Sequence, residues 1–266
     1  MEVTICGTGL FAPGLHDWQL GRAVLRGQSP YEPDEVPPVF DAGLLPPNER
    51  RRATYTVLLA LRVAQEAMAS APISTPAEIS SVFACSGGDT ESLDRICSAL
   101  TLPGKPVSPN LFHNSVHNAP AGYWAIATGS TAPSTSLSAY DSTFAAGLLD
   151  AFSLVAAMNQ ATLLVAYDIP PPKPLFPFRP LLASPFAVAF VICPATMEHK
   201  GVGLRVTIAS DRQEDRMPEH ALERLRTGNP AARSLPMLAA IATGGESTVV
   251  LPYLPESQLV VELMPC

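Results

Sequence analysis

Residues 143–158 would form a helix with almost no polar face, and a helix apolar all round belongs at the centre of a fold. Its apolar run from Phe144 to Met158 is broken by Asp150 and Ser153 and is too short to cross a bilayer, so protein and not lipid is expected to cover it. A β-rich run at 135–139 precedes it. The chain therefore reads as strand, corner and buried helix, and the rest of the fold must be built around that unit.

Other segments supply the covering layers. Residues 163–167 and 186–193 are continuous apolar runs, as expected of strands buried on both faces. Shorter strands are expected at 3–6, ending in the glycine turn Gly7-Thr8-Gly9, and at 81–85, 203–208, 249–251 and 259–263. Helices are expected at 18–25, at 48–69 with Asn48 as cap, at 90–100, over 111–129 with a kink near Pro120, and near 218–226 and 231–241. Arg62, Gln65 and Glu66 form the narrow polar stripe of the helix at 48–69. Ser86-Gly87-Gly88-Asp89 reads as a strand-to-helix turn with Asp89 or Thr90 as cap, since it lacks the spaced glycines and lysine of a phosphate loop. Strands alternating with helices give an α/β layered fold.

Composition narrows the function. With 47% hydrophobic and 15% charged residues, the chain has ample core material and little solvated coat, which suits a protein that buries surface against another subunit. A net charge of −7 argues against nucleic acid. The basic run Arg50-Arg51-Arg52 is expected to be a solvated helix end, with docking of an acidic carrier protein as the alternative. Cys6, Cys85, Cys97, Cys193 and Cys266 show no paired or metal-like spacing, so free thiols in a reducing cytoplasm are expected. No signal peptide or membrane span is read.

Three stretches, in order, resemble the ketoacyl-synthase (thiolase-like) family: VTICGTGLFAPG, SPNLFHNSVHNAPAGYWAIATG and STSLSAYDSTFAAGLLDA. They are similar to that family's opening strand, its asparagine and Ala-Gly helix, and its nucleophile elbow with central helix. The resemblance covers roughly residues 1–195. It implies a thiolase-like layered fold with mixed sheets and buried central helices. The chain is read as a single ketoacyl-synthase-like domain, with 200–266 as a reduced remnant of the second half.

The resemblance also implies a loss. Working condensing enzymes carry a cysteine at the elbow, where a helix N-terminus favours the thiolate. Here that position falls on Asp141 without a gap, or on Tyr140 with one residue of slack. Neither can easily form and pass on a thioester. The family's second catalytic half is cut short, and its only histidines, His199 and His220, are read as surface residues. His113 and His117 stand four apart on an expected helix, a spacing that could hold a metal; with no third ligand evident they are read as structural or interface residues. No cofactor is expected.

By resemblance the chain is a chain-length-factor-type subunit, as in aryl-polyene and related pigment pathways. It would form a heterodimer with an active ketoacyl-ACP synthase and meet acyl carrier protein through that complex. The elbow strand, with Thr135 and Leu137, would lie at the interface, and Phe112, His113, Tyr123 and Phe144 are candidates for shaping the interface and acyl tunnel. A shortened fold would also leave sheet edges uncovered, which invites association. Two alternatives stand beside this reading. One is an acyl-thioester enzyme (acyltransferase, hydrolase or decarboxylase) using Asp141, Ser142 or another non-cysteine residue. The other is a homodimeric acyl- or carrier-binding module.

Overall fold

The computed structural model describes residues 2–34, 40, 41, 43–195 and 201–265. The elements, in chain order, are β1 (Glu2–Phe11), α1 (Trp18–Leu25), α2 (Pro47–Arg50), α3 (Tyr55–Ser70), β2 (Ser80–Ala84), α4 (Thr90–Leu100), α5 (Pro109–Asn114), α6 (Ala119–Thr128) and β3 (Ser134–Leu137). They continue with α7 (Thr143–Met158), β4 (Thr162–Asp168), β5 (Phe186–Pro194), β6 (Val202–Ala209), α8 (His220–Gly228), α9 (Leu235–Thr243), β7 (Ser247–Leu254) and β8 (Ser257–Pro265).

All the described strands join one mixed sheet in the order β3-β2-β4-β5-β1-β6-β8-β7. Strands β3, β2 and β4 are parallel, and every later pairing is antiparallel. Alternation along β4 sends Leu163, Val165 and Tyr167 to a core shared with α3 and α6, and Leu164 and Ala166 to a core shared with α7. That second core also contains Leu235, Leu238 and Ile241 of α9 and the inner residues Val249, Leu251, Leu259, Val261 and Leu263 of β7 and β8. Helix α7 touches β2 and β4 on one side and β7 on the other and buries Phe144, Ala145, Leu148, Ala151 and Val155, but Ser153, Ala156, Ala157 and Met158 are exposed, so it is covered along one face and not on every side as expected. By length and composition alone residues 140–158 would suffice for a membrane span, and 39% of that stretch is buried within the fold.

Several local expectations need correction. Gly7 and Gly9 do not form a turn; β1 runs through them. A Cβ on either would sit 2.1 Å from a carbonyl oxygen of α3 (Ala67 or Val63), so both are required by close helix approach. The expected helix at 48–69 is two pieces. Thr54, not Asn48, caps α3 by accepting from Val57 N, and the carbonyl of Arg52 in the break accepts from Asn114 Nδ2 at 2.8 Å. Arg62, Gln65 and Glu66 do form the polar stripe of α3, and within it the Glu66 carboxylate accepts from Leu10 N (3.1 Å) and Trp18 N (2.6 Å). Cys6 and Cys193, on adjacent strands, are joined as a disulfide, so the expectation of free thiols fails for this pair; Cys85 and Cys97 are free.

The two sheet edges differ. At β7, Asp215 covers Val250 on both counts: its carboxylate accepts from Val250 N at 2.7 Å and its amide donates to Val250 O at 2.9 Å. Pro252 further along removes a donor. At β3 nothing comparable is present among the described residues. On the outward side of the C-terminal strands, Arg205 pairs with Glu2 and with Glu262, a polar surface suited to water.

Candidate functional site

The strand-to-helix corner begins where β3 ends. Ala139 leaves the extended conformation (ψ 38°), and Tyr140 adopts φ +52°, a left-handed conformation that non-glycine residues avoid. A short 3-10 turn, Tyr140–Ser142, then feeds α7. The strain is held from several sides. Thr143 Oγ1 accepts from Ala139 N (3.1 Å) and donates to Tyr140 O (2.6 Å), and Ser142 Oγ donates to Tyr253 O. Both hydroxyls are thus committed to backbone groups.

Asp141 stands just before the N-terminus of α7, where a carboxylate is favoured. It is paired twice: with Arg179 Nη2 at 2.8 Å and with Arg233 Nη2 at 3.4 Å. The Arg179 guanidinium also lies over the Tyr140 ring, 4.0 Å from its centroid. Tyr140 is 63% exposed, and Phe178 and Leu181, exposed neighbours, border the same shallow hollow. Among the described residues, no hydrogen bond or ion pair from Asp141, Ser142 or Thr143 goes to a histidine.

Beside this corner lies a buried acidic junction that sequence reasoning missed. Asp168, the last residue of β4, accepts from Ser86 N (2.8 Å) and Ser86 Oγ (2.6 Å) and from Cys85 Sγ (3.5 Å), while Oδ2 has no hydrogen-bond partner among the described residues. Burial pushes its carboxyl up to about 6, against the pull of Ser86, Cys85 and Arg179. Burial likewise pushes the Cys85 thiol well up, with Asp168 adding to it, so this thiol is held protonated. Ser86 O accepts from Ser138 Oγ at 3.0 Å, which links the junction to the end of β3. Asp89 caps α4 through Ser92 N, as expected.

The histidines separate. Helices α5 and α6 break at Ser115–Asn118, so His113 and His117 do not share a helix face. His113 meets the Tyr123 ring edge-on at 5.9 Å, and His117 Nε2 bonds Leu137 O at 3.0 Å. No group of three metal-ligating side chains occurs among the described residues. His220 is exposed at the start of α8, and His199 lies outside the described residues.

Phe112, His113 and Tyr123 line one groove of about 520 Å³, together with Val116, Gly122 and Ile126. Phe112 is 66% exposed, whereas Tyr123 is buried. Phe144 faces inward and packs against Phe190 in the main core. Thr135 and Leu137 sit half-buried on the edge strand.

Residues 23–250 match the family described as "Beta-ketoacyl synthase, N-terminal domain". The chain belongs to this family. No curated protein matches it. Among solved structures, a chain in the complex of the ketosynthase ApeO with its chain length factor ApeC from Xenorhabdus doucetiae aligns with a TM-score of 0.74 at 22% identity, covering 98% of this chain and 99% of that one. A chain of the ishigamide ketosynthase/chain length factor aligns with a TM-score of 0.74 at 14% identity, covering 100% and 99%. A chain of the AntDE:AntF complex, a type II carrier protein with its ketosynthase, gives 0.78 at 12% identity, covering 100% and 99%. At these identities the likeness speaks for the fold, which is the thiolase-like fold of ketoacyl synthases.

Proposed function

We propose that this chain is a chain-length-factor-type subunit that pairs with an active ketoacyl-ACP synthase and has no acyl-transfer chemistry of its own. The elbow carries the reading. Where the family's nucleophile would stand, Tyr140 is fixed under Arg179 and Asp141 is tied to two arginines. A carboxylate so paired is a poor nucleophile, and the neighbouring hydroxyls are committed to carbonyls.

Pairing is supported by the open β3 edge, since an unpaired strand is a template for another, and by the solved ketosynthase complexes in which chains of this fold sit. The apolar groove of Phe112, His113 and Tyr123 lies beside that edge and would border an acyl chain reaching across the interface. Each methylene buried there contributes about 0.8 kcal/mol and each one too many is rejected sterically, so chain length is set without a catalytic residue.

A reconstituted elongation assay with the ketosynthase tests this. Asp141→Ala is expected to leave turnover within about twofold of wild type, because an effect of 0.4 kcal/mol or less is about twofold. Loss of turnover with the complex still assembled would make Asp141 a participant in chemistry and favour the acyl-thioester enzyme.

A further inference from the structure

Glycine in a helix interior lowers the folding equilibrium about fivefold relative to alanine, so each one asks for a reason. The described helices contain Gly21 in α1, Gly122 in α6, Gly147 in α7 and Gly228 at the end of α8. Three have a reason inside the chain. A Cβ on Gly21 would lie 2.3 Å from Leu10 Cδ2; on Gly147, 2.8 Å from Ala84 Cβ; on Gly228, 2.2 Å from Leu181 O. A Cβ on Gly122 would meet no heavy atom within 4 Å. Its backbone is ordinary helix, with its amide donating to Asn118 O at 3.0 Å. Nothing among the described residues explains this glycine, and an alanine there would favour the helix.

Gly122 is exposed and forms part of the groove between α5 and α6. Phe112, Val116 and Ile126 border it with large exposed apolar surfaces, and no Lys, Arg, Asp or Glu lines it. His117, in the link between α5 and α6, bonds Leu137 O of β3 through Nε2 at 3.0 Å.

We propose that Gly122 is a close-approach site, where the backbone of the ketosynthase subunit packs directly onto α6. This rests on the pairing proposed above. The occupant follows from three observations: α6, which carries the groove, packs against the edge strand β3, the groove's lining holds no Lys, Arg, Asp or Glu and so suits an apolar subunit face, and chains of this fold occur in solved ketosynthase complexes. A missing side chain lets two backbones come closer than any larger residue allows.

The test sets stability against assembly with Gly122→Ala and Gly122→Leu. Thermal melting of the purified chain is expected to rise by about 2 °C for either variant, as relief of a helical glycine should give in a chain of this size. Affinity for the ketosynthase is expected to fall several-fold for Gly122→Ala and about 100-fold for Gly122→Leu, because overpacked contacts are rejected in proportion to volume. A lower melting temperature in both variants would overturn the proposal by showing that the chain's own packing needs the glycine. Unchanged affinity for Gly122→Leu would overturn it while leaving the pairing intact. So would unchanged affinity with shortened products, which would assign the space to the acyl chain. If the wild-type chain itself does not bind the ketosynthase, the pairing falls and this proposal with it.

Discussion

Asp168→Asn is expected to stabilise the protein at pH 8 by about 1–2 kcal/mol and to destabilise it by about 1–2 kcal/mol near pH 4. Asp168 is buried and its carboxyl is raised from 3.8 to about 6, so the folded state holds this proton more tightly than the unfolded state does. The contribution to stability is therefore fully present below the unfolded pKa and is lost as pH rises through about 6. A shift of about two units corresponds to about 3 kcal/mol, an upper figure for a buried group. Asparagine keeps an acceptor for Ser86 N and Ser86 Oγ and removes the charge, while its new amide faces the place where Oδ2 has no hydrogen-bond partner among the described residues and loses about 1–2 kcal/mol there. Urea denaturation at pH 4.5, 6 and 8 checks this: wild-type stability should decline across the series more steeply than that of the variant. A variant less stable than wild type at pH 8 would show that the ionised carboxylate is the native partner of Ser86.

The second large effect concerns association. Ser136→Pro is expected to weaken binding to the ketosynthase about 100-fold or more while changing the stability of the chain itself by less than about 1 kcal/mol. Pro133 O accepts from Ser81 N and Leu137 O from Cys85 N, so alternation along β3 directs Thr135 toward β2 and Ser136 away from it. A proline there removes an outward N–H that the chain does not use, and edge strands tolerate proline on that side. If a partner strand uses that N–H, both the bond and the space for the ring are lost, at about 3 kcal/mol. Titration calorimetry and thermal melting on the same preparations separate the two effects. Equal affinity for both proteins would exclude strand pairing at β3.

The central unit of the fold was legible because α7 is apolar all round and β4 and β5 are unbroken apolar runs, patterns with few other homes. The break between α2 and α3 was not, because residues 51–54 (Arg-Arg-Ala-Thr) contain no glycine or proline to mark it and the Arg52 carbonyl in the break is held by Asn114 from another helix. At the elbow, Tyr140 and Asp141 could be singled out through the resemblance of residues 134–151 to the ketoacyl-synthase elbow. Arg179 and Arg233 could not, since each reaches the corner through tertiary structure. The Cys6–Cys193 pair, 187 residues apart in sequence, was likewise invisible to spacing. Asp168 did leave a signal: a carboxylate closing a strand buried on both faces must be either protonated or well bonded.

Co-expression with the ketosynthase from the same gene neighbourhood, followed by size-exclusion chromatography with light scattering, tests the central claim most directly. A one-to-one complex that elongates acyl chains only when both subunits are present is the expected result. A chain that elutes alone in the presence of excess ketosynthase, and turns over acyl thioesters by itself, would contradict the account.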